Sequence, residues 1–506
     1  MAFDNDYRPR NPAENLLYKV VSGHLETFLA RQRERDRNVP DFVEREFRSF
    51  LDCGVLARGF IRVHCSACGL DRVVGFSCKR RGFCHSCGSR RMADTAAHLV
   101  DRVFPHVPVR QWVLSFPHAL RYRLAYDSDL ITDVLDIFIK TVFASLIRRA
   151  AEFGAVRKAQ CGALSFIQRF GSALDLNVHI HAILLDGVYA ADDEGQPQFQ
   201  VLLAPDDEEI ARLTASLAER ITKFLCGRGL GPESDREESD PLSRDQPCLA
   251  GLYAASVLGR TAFGPNAGRR ATRTGDQIDP ESMDAFASPR CASVNGFSLH
   301  ANVALNGADR NRLERLIRYC ARPPVAVERL EALPDGRLLY RLKRPWRDGT
   351  THVAFQPQEL LEKLAALVPA PRAHSVRYSG VFAPAAAWRP LVIPDAAAAA
   401  TADNDAARGP VERCSGAVGA SALAAVVISP ETSDTSSERH QRNYTWSELM
   451  KRVWELDVLE CPRCHGPMRL LATIHPPDAT RRILEYLGLP SRAPPITHAI
   501  SDLAVS

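Results

Sequence analysis

The segment Leu176–Leu185 (LNVHIHAILL) most constrains the fold, because it is apolar apart from Asn177 and two histidines. Such a run predicts a buried β-strand, in which residues two apart point to the same face. His179 and His181 therefore converge on one side of the strand, while Ile180 faces the other side. Two neutral imidazoles this close together suit a divalent metal ion. The alternative is a pair of core histidines that each have a separate hydrogen-bond partner.

Length and composition bound the class of protein. A chain of 506 residues predicts about two to four domains. It has no apolar run of eighteen residues and no apolar signal region at its N-terminus, which predicts a soluble cytoplasmic protein without a membrane partner. Fourteen cysteines in such a chain indicate thiolate ligands or free thiols rather than disulfides.

Positive charge is concentrated in two stretches, although the net charge is only +4. Residues 61–92 carry seven Lys and Arg against one acidic residue, and residues 309–347 carry eleven against five. Such stripes are typical of a surface that binds a polyanion, and a solvated basic face is the alternative for either stripe alone. In the first stretch the predicted phosphate-binding residues are Arg72, Lys79, Arg80, Arg81, Arg90 and Arg91.

The first basic stretch also holds two Cys-x-x-Cys pairs. Cys65 and Cys68 are followed, after fifteen residues, by Cys84 and Cys87. This spacing predicts one structural zinc site, in which two tight turns each supply a pair of thiolates. Alternatively, Cys78, Cys84 and Cys87 could supply three ligands, with His64 and His85 as further candidates.

A third pair, Cys461 and Cys464, lies near the C-terminus and is typical of half a zinc ribbon. No second cysteine pair follows it, so a metal site and a plain turn are equally good interpretations. Between residues 383 and 443 the chain is rich in Ala, Ser, Thr and acidic residues, which predicts a disordered linker.

A predicted helix over Asp309–Arg322 places Tyr319 off the apolar stripe of that helix. Tyr319 shares its side with Arg312, Arg315 and Arg322. A cationic surface of this kind favours the phenolate form of a tyrosine and attracts phosphate. The alternative is an amphipathic tyrosine at a helix edge, which is the commoner case.

Several segments, taken in chain order, carry a family resemblance. They are SCKRRGFCHSC, RQWVLSFPHALR, FIQRFGSALDLNVHIHAILLDGVY, RLIRYCARPPVAVERL and RLKRPWRDGTTHV. Together they resemble the IS91-family rolling-circle transposases, which are single-strand DNA nucleases of the HUH (His–hydrophobe–His) type. The resemblance covers most of residues 60–380 and extends weakly to CPRCHGPM. It implies an α+β fold, with an antiparallel sheet, the histidine pair on a central strand and the nucleophile on a nearby helix.

The resemblance and the composition together predict the domain organisation. Residues 1–60 form a helical region, 61–105 a zinc-binding domain and 106–382 the catalytic domain. A disordered linker at 383–443 and a small module at 444–492 follow. The cofactors expected on this basis are structural Zn²⁺ and catalytic Mg²⁺ or Mn²⁺.

Roles for the site residues follow from the same resemblance. His179 and His181 would bind the catalytic ion, with Gln168 as a third ligand. Tyr319 would attack phosphorus and form a 5′-phosphotyrosine. Arg315 stands where the family's Tyr-x3-Tyr motif has its first tyrosine, which puts the family's two-tyrosine strand transfer in doubt for this chain.

The expected substrate is single-stranded or melted DNA at element ends in a bacterial, nucleoid-associated setting, and an oligomer is compatible with the sequence. Arg315 and Arg322 would neutralise charge beside the nucleophile, and Arg312 and Arg318 would contact DNA. Tyr253 is a rival nucleophile, although its small apolar neighbours indicate a packed helix.

Two other functions compete with this one. The first is a zinc-ribbon DNA-binding protein without enzyme activity, which includes an inactive transposase copy. The second is a metal-dependent hydrolase that uses activated water. Its weakness is the shortage of carboxylates, because Asp175 and Asp186 are the nearest to the histidine pair and both lie at strand ends.

Overall fold

The computed structural model describes residues 11–152, 154, 158–231, 240–275, 289–394, 444–455, 457–475 and 477–500. The helices are α1 (Leu16–Arg33), α2 (Asp41–Asp52), α3 (His85–Arg102), α4 (His118–Tyr126), α5 (Ser128–Glu152), α6 (Asp207–Gly227), α7 (Pro241–Asp245), α8 (Pro247–Val257), α9 (Arg310–Ala321), α10 (Pro357–Leu367), α11 (Arg389–Val392), α12 (Trp446–Trp454) and α13 (Pro477–Tyr486). The strands are β1 (Phe60–Cys65), β2 (Asp71–Gly75), β3 (Val109–Ser115), β4 (Gly162–Phe170), β5 (Leu176–Leu185), β6 (Gly187–Ala191), β7 (Pro197–Val201), β8 (Thr272–Thr274), β9 (Cys291–Val294), β10 (Phe297–Leu305), β11 (Leu330–Ala332), β12 (Leu338–Arg341), β13 (His352–Phe355), β14 (Val376–Gly380) and β15 (Met468–Ile474).

A six-stranded sheet in the order β14-β4-β5-β3-β10-β9 forms the centre of the fold. Every neighbouring pair in it is antiparallel. The predicted α+β class is therefore confirmed. The strand that carries the histidine pair, β5, lies between β4 and β3, well inside the sheet.

Helices cover both faces of this sheet, which explains why β5 is apolar along most of its length. Ile180 and Leu184 join a core that includes residues of α5, α8 and α10. Ile183 points the other way and packs in a second core with residues of α3 and α9. His179 and His181 share this second face, because they alternate with Ile180 along the strand.

Close packing brings the N-terminal helix α3 against the end of α9. A Cβ atom added at Gly88 of α3 would lie 2.6 Å from Cβ of Pro323, just after α9. Only a residue without a side chain fits this approach, so Gly88 sets the distance between the cysteine-rich region and the tyrosine helix.

Two smaller sheets complete the central region. Strands β12 and β13 form an antiparallel hairpin within a four-stranded sheet of order β11-β12-β13-β8. Strands β6 and β7 form a separate two-stranded ribbon.

The C-terminal module packs on the N-terminal region. Strand β15 pairs antiparallel with β1, so that the third sheet has the order β15-β1-β2. In α12, Leu449 is buried against Ala93 and Ala97 of α3. The C-terminal module therefore shares one sheet with β1 and β2 and one small core with α3.

The predicted start of the linker at residue 383 is wrong. Residues 383–394 are part of the ordered fold, because Trp388 and the buried Val392 pack with Phe104 and Phe382. The rest of the predicted linker, residues 395–443, lies outside the described residues. Among the described residues, no helix has both the length and the apolar character that crossing a membrane requires.

Candidate active site and cysteine clusters

The register of the sheet places polar residues of three strands beside the histidine pair. His179 lies opposite Ser115 of β3 and Gln168 of β4. Directly opposite residues of an antiparallel sheet point to the same face, so the Gln168 and His179 side chains meet there. The Nε2 atoms of His179 and His181 are 3.1 Å apart.

Hydrogen bonds to the other ring nitrogens orient both imidazoles. His179 Nδ1 donates to the carbonyl oxygen of Asn177 at 2.8 Å, which leaves a lone pair on its Nε2. The side-chain amide of Gln111 lies 3.0 Å from His181 Nδ1 and orients that ring from the side away from His179.

Gln168 supplies an oxygen that fits the same site. Its Nε2 donates to the carbonyls of Tyr319 and Cys320 at 3.1 and 2.6 Å. Its Oε1 is buried and has no hydrogen-bond partner within the described chain. An unsatisfied buried oxygen is costly, and coordination of a cation would remove that cost. The residues present therefore fit a divalent ion held by two imidazoles and one amide oxygen.

Burial keeps both imidazoles neutral. It lowers the pKa of His179 to about 4 and lowers the pKa of His181 well below its usual range. The positive charge of nearby Arg322 acts in the same direction on both rings. Neutral imidazoles are ligands rather than acids, so these rings suit metal binding better than proton donation at neutral pH.

Tyr319 lies directly against this site. Its ring meets the ring of His181 edge-on, with the centroids 5.7 Å apart. Cζ of Arg322 and Nζ of Lys343 lie 4.5 and 4.3 Å from the centre of the tyrosine ring. The tyrosine is therefore held between the histidine pair and two cations.

The sequence interpretation missed Lys343, which follows β12 in the segment RLKRPWRDG. Only the resemblance and the local basic charge marked that segment, and neither one singled out a residue. Burial, and then the charge of Arg322, lower the pKa of Lys343. A lysine with a lowered pKa exchanges its proton more readily near neutral pH.

The arginines predicted on α9 have other surroundings. Arg318 forms an ion pair with Glu314 at 2.5 Å, and Arg312 lies 3.8 Å from Asp309. Arg315 is exposed. Of the predicted arginine group, Arg322 is the one that contacts the tyrosine ring.

A cavity of about 390 Å³ opens beside the end of α9 and reaches the N-terminal region. Asp129 is the single carboxylate among its lining residues. Six arginines line it, and none of them forms a salt bridge within the described chain: Arg81, Arg91, Arg169, Arg322, Arg372 and Arg377. So many guanidinium groups without carboxylate partners make this cavity attractive to phosphate.

The cysteines that could bind zinc fall into two clusters rather than the single predicted site. The first groups Cys53, Cys78, Cys84 and Cys87. The second groups Cys65, Cys68, Cys461 and Cys464. In each cluster all four sulfur atoms lie within 4.8 Å of one another. The prediction that Cys65 and Cys68 share an ion with Cys84 and Cys87 is therefore wrong.

Tertiary packing separates the two predicted pairs. Cys65 ends β1 and pairs with β15, whereas Cys84 and Cys87, at the start of α3, share a core with residues of α2. Cys53, at the end of α2, lies 3.6 and 3.7 Å from the sulfurs of Cys84 and Cys87. Cys53 carried no motif of its own, and an unpaired cysteine close to a Cys-x-x-Cys region was the one available signal.

Two family models match the chain. Residues 162–388 match a family described as "Putative transposase", and residues 20–116 match a transposase zinc-binding domain of the IS91 type. This chain belongs to the IS91 transposase family. No curated protein and no solved structure matches it significantly. Family membership gives the transposase a structural zinc-binding domain and makes DNA its expected partner.

The basic residues predicted in the zinc-binding domain of the transposase divide into two groups. Arg72 is buried, Arg80 donates to Ser49 Oγ at 3.0 Å, and Arg91 donates to the carbonyl of Lys79 at 3.0 Å. These three side chains are therefore buried or hydrogen-bonded within the domain. The exposed residues of the predicted set are Lys79, Arg81 and Arg90.

The rival residues of the transposase have structural roles. Tyr253 is fully buried, and its hydroxyl accepts a hydrogen bond from Arg169 at 3.0 Å. Asp175 is paired with Lys363 at 2.6 Å, and Asp186 is paired with Arg110 at 2.7 Å. Both carboxylates that were considered for the hydrolase alternative are therefore already paired with a basic side chain.

Cys53→Ser is expected to remove a thiolate ligand and release about one zinc ion per chain, as Cys84→Ser should, because a structural site needs all four ligands. Zinc analysis of the purified full-length protein measures this. Cys226→Ser, at an exposed cysteine outside both clusters, is the matched control and should keep its zinc. An unchanged zinc content in the Cys53 variant would show that Cys53 is not a zinc ligand.

Proposed function

We propose that this transposase nicks and rejoins single-stranded DNA at the ends of its element through a 5′-phosphotyrosine on Tyr319. One observation carries the proposal. The Tyr319 ring packs against His181, and its carbonyl is held by Gln168, so the tyrosine and the three predicted metal ligands form one connected site. A tyrosine with only a packing role at the edge of its helix would not need to lie against the three predicted metal ligands.

In this proposal His179, His181 and Gln168 hold Mg²⁺ or Mn²⁺. When bound, the ion polarises a non-bridging oxygen of the scissile phosphate and orients that phosphate. The protein side prepares the site by keeping both rings neutral and by leaving the Gln168 oxygen without another partner. Asn177 and Gln111 fix the ring orientations from the far side.

The chemical step transfers the scissile phosphate from the 3′ oxygen of one DNA segment to the phenolic oxygen of Tyr319. Tyr319 loses its phenolic proton, and its oxygen attacks phosphorus as the bond from phosphorus to the 3′ oxygen breaks. The products are a 5′-phosphotyrosine and a DNA strand that ends in a 3′ hydroxyl, which has taken up one proton. Arg322 and Lys343 lie over the ring and stabilise the phenolate and the charge that develops on the phosphate. Reversal with another 3′ hydroxyl rejoins strands without a nucleotide cofactor.

A single tyrosine limits what one active site can do. Arg315 occupies the position four residues before Tyr319, and an arginine cannot form the second phosphotyrosine. One chain therefore holds one DNA end at a time. Completing an exchange of two strands then needs a second protomer or release of the adduct by water.

The six-arginine cavity gives the bound strand a path away from the nucleophile. Arg322 lies both against the Tyr319 ring and in the cavity wall, so the two sites are continuous. The exposed Arg81 reaches the wall from the zinc-binding domain, which would then share in holding the DNA end. Phosphates that flank the scissile bond are the ligands we assign to this cavity.

The test of the function is direct. The purified protein is incubated with Mn²⁺ and a labelled single-stranded oligonucleotide that carries an element end, and a covalent protein–DNA band is sought on a denaturing gel. An adduct with release of a 3′-hydroxyl fragment supports the nuclease. Tight binding without an adduct would favour the DNA-binding protein without enzyme activity, and nicking without an adduct would favour the hydrolase.

Arg81→Ala and Arg372→Ala, both in the cavity wall, are expected to weaken binding to single-stranded DNA without changing the fold. Each lost phosphate contact should reduce the slope of log affinity against log salt by about 0.7 to 1. Fluorescence anisotropy over a salt series measures this. Arg244→Ala removes an exposed arginine paired with Asp245, outside both basic stretches and the cavity wall, and serves as the control. Equal slopes for all three variants and the unaltered protein would show that the DNA does not bind in this cavity.

A further inference from the structure

The second cysteine cluster joins parts of the chain that are far apart in sequence. The sulfurs of Cys65 and Cys464 lie 3.4 Å apart, and those of Cys68 and Cys461 lie 3.5 Å apart. All four are free cysteines. Four thiolates around a tetrahedral zinc ion, with zinc–sulfur bonds of about 2.3 Å, would be separated by about 3.8 Å. The cluster is therefore already near the size that zinc needs.

The two halves of the cluster have the same backbone design. The N–H of Cys65 donates to the carbonyl of Leu70, and the N–H of Gly69 donates to the carbonyl of Cys65. At Cys461 the equivalent bonds run to the carbonyl of Gly466 and from the N–H of His465. The fifth residue of each turn is left-handed, with φ of 75° at Gly69 and 57° at His465.

This repeated turn is a second observation that points to a metal. His465 adopts a left-handed backbone conformation that favours glycine and costs a non-glycine residue some conformational energy. The turn therefore has the same geometry as the first one in spite of that cost.

The two turns lie at the same end of one antiparallel pair of strands. Cys65 is in register with Met468, directly after the second turn, and the pairing runs on to Phe60 and Ile474. The core under the turns consists of four buried residues: Val63, Cys65, Cys461 and Met468. A metal ion at the turns would add a staple to this small core and to the pairing of β1 with β15.

We propose that a second zinc ion, bound by Cys65, Cys68, Cys461 and Cys464, clasps the C-terminal module to the zinc-binding domain. The family's zinc-binding domain ends at residue 116 and contains all four ligands of the other cluster. It contains only two ligands of this one. The second site is thus incomplete until residues near the C-terminus return to β1.

The clasp has a consequence for the tyrosine helix. Arg452 of α12 donates to Asp101 of α3 at 3.0 Å and to Glu314 of α9 at 2.8 Å. Glu314 in turn pairs with Arg318, one residue before Tyr319. By holding the C-terminal module on the sheet, the second zinc keeps α12 braced against the helix that carries the proposed nucleophile.

Zinc analysis of the full-length protein tests the clasp independently of DNA cleavage. We expect about two zinc ions per chain, and about one in the Cys461→Ser/Cys464→Ser variant. A Cys226→Ser/Cys291→Ser variant, at two exposed cysteines outside both clusters, should keep two. One zinc per chain in the unaltered protein, or two in the Cys461→Ser/Cys464→Ser variant, would overturn the proposal.

Thiol labelling of the unaltered protein covers the case in which the variant does not fold. Cys464, Cys226 and Cys291 are all exposed. Under the proposal a maleimide labels Cys226 and Cys291 at once, while Cys464 reacts only after a chelator removes zinc. Mass spectrometry of the peptides follows each site. Labelling of Cys464 as fast as Cys226 in zinc-loaded protein would overturn the clasp, even if the Tyr319 adduct forms normally.

Discussion

Tyr319→Phe is expected to abolish the covalent protein–DNA adduct while leaving the fold and the DNA affinity nearly unchanged. The substitution removes one oxygen and keeps the ring that packs against His181 and the two cations. Since no other hydroxyl on α9 can take its place, we expect nicking to fall by at least about 1,000-fold, the scale of losing a catalytic nucleophile. The denaturing-gel assay with Mn²⁺ and a labelled element end measures this.

Tyr253→Phe is the matched control for the nucleophile. It also removes one phenolic oxygen, but from a ring that is fully buried and bonded to Arg169. Loss of that hydrogen bond should cost about 1 kcal/mol of stability and leave the adduct intact. If the adduct forms in the Tyr319 variant and is lost in the Tyr253 variant, the nucleophile is Tyr253 of α8.

The second large effect is expected at the histidine pair. His179→Ala with His181→Ala removes the two proposed imidazole ligands, so Mn²⁺ binding and cleavage should both be lost. DNA binding should persist, because the six arginines of the cavity are untouched. Calorimetric titration with Mn²⁺ and anisotropy with DNA separate these two results. Chelation of the unaltered protein should reproduce the loss of cleavage.

His352→Ala provides the comparison for that experiment. This half-buried histidine lies in the four-stranded sheet, where its Nδ1 is 2.8 Å from the hydroxyl of Thr351. It should retain Mn²⁺ binding and cleavage. If the double variant of His179 and His181 cleaves DNA at the rate of the unaltered protein, the metal assignment is wrong, whatever the result with Tyr319→Phe.

Local pattern was enough to predict the parts of the site that belong to single elements. The apolar run around His179 and His181 predicted a buried strand, and the structure has it at Leu176–Leu185. The helical period placed Tyr319 in the last turn of a helix that ends at Ala321. These predictions succeeded because a residue's face within one strand or helix depends on its spacing from its neighbours.

The sequence by itself therefore determined the α+β class, the shared face of the two histidines, the helix of Tyr319 and the presence of thiolate turns. Tertiary structure alone decided which elements meet. A Cys-x-x-Cys turn fixes two ligands and leaves the partner pair open, so the clustering of Cys68 with Cys461, 393 residues away, depends on the pairing of β1 with β15. Lys343 reaches Tyr319 for the same reason. Long-range contacts depend on packing across the whole core, and no local period records them.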